Sequence, residues 1–170
     1  MQVFVGSFDI SRASEYNSLA LNDALVQSWE INSRLNLYLL EAVPDDQLVI
    51  KLEKGKAVAG NFAHIHNVRR MWVKSAAVDL YDGIYKLEDP SRQELLDALP
   101  LSTGALSEIF RRAETPKGRV KGFKPHASAF LGYMVCHEAF HRTCIEVALR
   151  QAGHPLSDKV AYGIWEWGVR

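Results

Sequence analysis

Apolar residues along most of this chain recur at three- and four-residue steps, the period of one buried helix face. Strand-like alternation is confined to short pieces such as Leu48-Val49-Ile50. A first helix is predicted from about Glu15 to Ala42, with Leu21, Leu25, Ser28, Asn32, Leu35, Leu39 and Ala42 on its inward stripe. It ends at Val43-Pro44-Asp45-Asp46, because proline disfavours helical geometry in the residue before it. After a loop holding Lys54-Gly55-Lys56, a second helix is predicted from about Ala57 to Val78. Its stripe is Ala57, Asn61, His64, Val68, Met71 and Ser75, flanked by Ile65 and Trp72.

Ser91, with Glu94 three residues on, forms a capping box for a third segment. Pro100 interrupts that segment before the pattern resumes over Ser102 to Glu114, so it is one kinked helix or two pieces. Pro116 to Pro125 is a loop. The fourth helix, about Ala127 to Ala152, carries the stripe Phe130, Met134, His137, His141, Cys144 and Ala148. Glu138, Arg142 and Glu146, four apart, read as an ion-paired row on its wetter side. Gly153 and Pro155 stop this helix, and a short final one is expected near Ser157 to Trp167. Four amphipathic helices with one stripe each predict an all-α four-helix bundle with a short C-terminal helix, a single domain over residues 1–170.

Composition narrows the function. Twenty basic and twenty acidic side chains cancel, leaving no overall field to draw the chain to nucleic acid or an anionic membrane. The basic patches, Arg111-Arg112 and Lys117 to Lys124, read as solvated surface. No run reaches the roughly 18 to 20 apolar residues that span a bilayer, and the first residues lack a basic and apolar leader pattern. A cytoplasmic location is the expectation. Cys136 and Cys144, eight apart on one helix, would lie about 12 Å from each other, too far for a disulfide. Free thiols suit a reducing compartment.

The candidate chemistry lies in the histidines. His137 and His141 are separated by about 400° of helical rotation, so both rings project from nearly one side. Two imidazoles so placed can grip one metal ion, and His64, on the inward stripe of the second helix, offers a third nitrogen. Three protein ligands leave positions open for water or substrate, the arrangement of a catalytic site. Against this stands the reading of each as a core histidine satisfied by its neighbours. His66 points about 200° away from His64 and reads as surface or rim, while His126 and His154 fall at helix boundaries where capping explains them. His137-Glu138-Ala139-Phe140-His141 also spells the H-E-x-x-H of zinc proteases, with Glu138 as general base. Glu166 would be the carboxylate to complete that site, and no edge strand to hold a peptide is in view. Asn32 could orient a ligand or be a buried amide, Cys144 could be a fourth ligand or a small core residue, and Tyr133 and Arg142 could reach the cavity mouth or lie at the surface.

Ala63-His64-Ile65-His66-Asn67-Val68-Arg69-Arg70-Met71-Trp72 resembles the second-helix motif of the DinB-like (YfiT-like) metalloenzymes. Cys136-His137-Glu138-Ala139-Phe140-His141-Arg142, followed by Leu149-Arg150-Gln151-Ala152-Gly153, is similar to that family's fourth-helix motif. Trp29-Glu30-Ile31-Asn32 with Pro44-Asp45-Asp46, and Gly163-Ile164-Trp165-Glu166-Trp167, resemble its first helix and an ending seen in some members. The resemblance implies an up-down-down-up bundle, often a homodimer, with zinc or nickel on three histidines that match His64, His137 and His141. It implies a small-molecule substrate and hydrolysis, or thiol-dependent transfer or isomerisation with a low-molecular-weight thiol, and no link to nucleic acid. A non-catalytic metal-binding or ligand-sensing bundle is the other reading of the same residues. Two departures touch the substrate pocket: Arg69 stands where many members carry an acidic residue, and Thr143-Cys144 replaces a frequent Gly-Gln.

Overall fold

The computed structural model describes residues 10–113 and 118–169, with side chains from residue 23 onward. The side chain of Leu21 on the predicted first stripe, and Glu114 and the start of the Pro116 loop, lie outside what is described. The long helices are α1 (Ile10–Ala42), α2 (Val58–Ala76), α3 (Arg92–Arg111) and α4 (Ala127–Gln151), followed by a short α5 (Asp158–Gly163). No strand occurs among the described residues; Lys51 and Ala57 form an isolated antiparallel bridge.

The packing fixes the topology. One core cluster joins Leu39 and Leu40 near the end of α1 to Val58 and Phe62 at the start of α2, Leu95 and Leu99 at the start of α3, and Ile145 and Leu149 near the end of α4. The other joins Leu25 and Trp29 to Val73, Leu106 and Phe110, and Phe130 and Met134. If α1 runs up, α2 and α3 therefore run down and α4 runs up, the order expected from the sequence resemblance. α1 packs chiefly on α3 and α4, and α2 on α3 and α4.

A polar layer lies between the two clusters. Asn32, Ser33 and Asn36 of α1, Arg69 of α2, Ser102 of α3, and Glu138 and Arg142 of α4 are all buried. Glu138 Oε1 accepts from Arg69 Nε at 2.7 Å, and its Oε2 accepts from Arg69 Nη2 at 2.8 Å and from the Asn32 and Asn36 amides at 2.7 Å each. The remaining Arg69 donor, Nη1, reaches Thr103 Oγ1 at 2.9 Å, and the guanidinium lies 4.7 Å from the Trp29 ring. A buried charge survives only when paired and hydrogen-bonded, and here the carboxylate is saturated.

This layer corrects the reading of the fourth helix. Glu138 is fully buried and Arg142 nearly so, so the supposed wet row is an interior one, with only Glu146 outside it, paired to Arg150. The α2 stripe is also turned: Val58, Phe62, Ile65, Arg69 and Val73 face the core, while Met71 and Ser75 are exposed. His66, expected at the surface, has no exposure at all. Its Nε2 donates to the Tyr85 carbonyl at 2.8 Å and its Nδ1 faces Ser102 Oγ at 3.1 Å. Asn67 bonds both the N–H and the carbonyl of Leu87, and Arg70 donates to the Ile84 carbonyl. These three α2 side chains pin the long 77–91 connection, which returns the chain up the bundle so that α3 can run parallel to α2.

Pro100 leaves α3 unbroken. It stands on the exposed side, and the one ladder bond it removes is outweighed by packing on the opposite face. Ser91 and Glu94 form both bonds of the capping box. α4 closes as predicted, with Gly153 at φ 84° and the His154 N–H on the Leu149 carbonyl, a left-handed stop that glycine adopts without strain. His126 caps α4 by accepting from the Ala129 N–H. No helix among the described residues is long and apolar enough to cross a membrane.

Candidate metal centre

His64 stands in the second turn of α2, facing His137 and His141 on the neighbouring, antiparallel α4. One ligand nitrogen from each ring lies within 4.8 Å of the others. Ring centroids are 4.6 Å apart for His64 and His141, 4.7 Å for His137 and His141, and 5.3 Å for His64 and His137. The three predicted ligands thus converge, although not in the bundle centre. His141 is buried while His64 and His137 are half-buried, in a groove between α2 and α4 at the side of the polar layer. A cleft of about 450 Å³ adjoins His64 alone of the three, between α2 and residues 87–89, with Lys56, Asn67, Glu88 and Asp89 in its lining.

Burial lowers the pKa of all three imidazoles below the ordinary value of 6.5, and their mutual repulsion and Lys56 add to it for His64 and His141. His141 falls to about 4. At neutral pH the rings are uncharged, the form a metal ligand requires.

Asn61 orients the deepest ring. Its amide nitrogen donates to the carbonyls of Ala57 at 3.0 Å and Lys56 at 3.3 Å, so its Oδ1 must be the atom facing His141 Nδ1 at 2.9 Å. That oxygen only accepts, so Nδ1 carries the proton and Nε2 presents its lone pair. A hydrogen bond of this kind is what fixes a metal-binding histidine in metalloproteins. His137 has a buried Nδ1 with no hydrogen-bond partner among the described residues, and such an orphan is costly unless something outside the chain fills it. Tyr133 stacks on His137 at 6.3 Å and Phe140 meets His141 edge-on at 5.3 Å. Three neutral nitrogens, one oriented and one unsatisfied, fit a divalent metal ion.

Other candidates fall elsewhere. Glu138, sealed behind Arg69 and two asparagines, is not available as the general base of a zinc protease, and Glu166 is not in the converging group. Asn32 sends its amide to Glu138 rather than to any of the three rings, and its own buried Oδ1 has no hydrogen-bond partner among the described residues. Arg142 does not line the cavity beside His64; its Nη1 donates to Asn36 Oδ1 at 2.7 Å. Cys144 is half-buried, Cys136 is exposed, and both are free thiols outside the converging group. Asn61, although on the predicted stripe, was not expected as a partner of a ring. The only signal for it is its place three residues before His64.

No curated protein matches the chain at a significant level. The family model described as DinB family matches residues 16–162, a span that holds α2 and α4 entire and with them all three histidines. The chain belongs to the DinB family.

Proposed function

We propose that His64, His137 and His141 hold one divalent metal ion, zinc or nickel, and that the chain is a metal-dependent enzyme acting on a small molecule as a hydrolase or a thiol-dependent transferase. The observation that carries this reading is the convergence of three nitrogens within 4.8 Å from a helix pair whose other facing positions are packed or saturated. When bound, such an ion supplies Lewis acidity, bringing the pKa of a water or thiol toward neutrality.

The rest falls to the protein. Asn61 holds the His141 tautomer, Phe140 meets that same ring edge-on, Tyr133 stacks on His137, and the cleft beside His64, bordered by Lys56, Glu88 and Asp89, receives the substrate. The Arg69–Glu138 pair keeps α2 and α4 in register, so that the three rings stay in reach of one point. A small thiol as co-substrate and a homodimer belong to the same proposal.

Protein made without an affinity tag should contain about one equivalent of zinc or nickel, and the His64→Ala, His137→Ala double variant should contain none above background. Unchanged metal content in that variant would rule out the site. Turnover of ester, amide or thiol-conjugation substrates by the loaded wild type, lost in the variant, marks an enzyme. Full metal loading with no turnover across such a panel favours a sensing or binding role instead.

A further inference from the structure

A second cavity lies on the opposite side of α4. Ala139, Arg142 and Glu146 sit about 140° to 200° around the helix from His137, and together with Leu35 of α1 and with Ile164 and Trp167 beyond α4 they line a partly open cavity of about 190 Å³. Apart from Arg142, Thr143 and Glu146 its lining is apolar, with Trp165 as a second indole.

Arg142 is the unusual member. It is 7% exposed, and among the described residues its guanidinium makes one hydrogen bond, Nη1 to Asn36 Oδ1. The carboxylate nearest in the interior, Glu138, already accepts four bonds, two from Arg69 and two from asparagines. Glu146 is engaged by Arg150. The polar layer therefore holds two guanidiniums against one carboxylate, and the residue that carries the surplus cation lines a partly open, mainly apolar cavity. A buried, incompletely paired cation is expensive, whereas a guanidinium with free N–H groups is a strong receptor for a carboxylate.

We propose that this cavity binds a small organic anion, a carboxylate on a short aromatic or aliphatic body, with its oxygens on the Arg142 guanidinium and its body against Trp165, Trp167 and Ile164. The volume suits one ring and a carboxylate; drug-sized ligands occupy pockets of about 300–1,000 Å³. The site stands on its own geometry and does not depend on metal at the histidines.

Phenylacetate and its neutral analogue phenylacetamide, titrated into the whole protein and followed by tryptophan fluorescence and calorimetry, test it. Phenylacetate should bind saturably below about 10 mM, with the amide at least about tenfold weaker. Arg142→Gln should weaken phenylacetate by at least about tenfold. If that variant does not fold, Ala139→Leu, which fills the cavity without touching the guanidinium, should do the same. The His64→Ala, His137→Ala protein should bind phenylacetate as the wild type does. No saturation, equal binding of the amide, binding that survives Ala139→Leu, or binding lost with the two histidines would each overturn the proposal.

Discussion

At the scale of single residues, the decisive contact is the one between Asn61 Oδ1 and His141 Nδ1. Removing it with Asn61→Ala should weaken zinc binding by about 10- to 100-fold, the usual cost of losing such a support, as read by competition with a chromogenic chelator. Asn61→Asp, which keeps an acceptor in place, should recover most of the affinity; equal weakening by both changes would mean that orientation is not what Asn61 provides. Protonation acts on the same rings. His141 has a folded pKa of about 4 against an ordinary 6.5, so between those values the unfolded chain takes up a proton that the folded chain refuses. For the metal-free protein the stabilisation is whole above pH 6.5 and drains away as pH falls toward about 4. His64, His66 and His137 shift in the same direction, mainly through burial. Urea midpoints of metal-free protein should fall across this window, and a flat or rising profile would contradict the buried neutral rings. His137 and His141 were legible in the sequence because their spacing alone puts two imidazoles on one side of a helix. Glu138 and Arg142 were misread because charge normally means exposure, and the partner that buries Glu138, Arg69, lies on another helix.

At the scale of elements, periodicity found α1 through α4 and the capping signals set their ends, yet it misjudged which way α2 faces. Ile65 and Val73 are buried as any apolar residue on α2 would be, but the same face also takes in Arg69 and His66, and a pattern that scores polar residues as outward rotates the stripe away from them. Pro100 misled less, since an exposed proline costs a helix one bond without wedging its packed face. The short α5 is held by a close fit that no pattern shows. A Cβ at Gly163 would collide with the Tyr38 ring, while the Tyr38 hydroxyl donates to the Lys159 carbonyl at 3.1 Å. Gly163→Ala should therefore cost about 1–3 kcal/mol by overpacking and speed amide hydrogen exchange across residues 158–163. Unchanged exchange there would show that the fit is not what docks α5.

Across the whole molecule, the two apolar clusters are joined through a charged layer rather than one continuous oily core. Arg69→Met should destabilise by about 3–5 kcal/mol, since it strands the Glu138 carboxylate in the interior. The Arg69→Met, Glu138→Leu double variant should regain much of that loss, because well-packed apolar residues replace a buried pair at little cost. Denaturant unfolding of the three proteins checks both, and a neutral single variant would show that the layer is hydrated. The 77–91 connection, pinned by His66, Asn67 and Arg70, has its own bearing on how such a chain reaches this state. Because it carries α3 back to the level where α2 began, helices consecutive along the chain at either end, α1 with α2 and α3 with α4, are not the pairs that pack most closely. Neither half of the polypeptide is a self-sufficient hairpin, and separated halves would have to find each other before either became ordered.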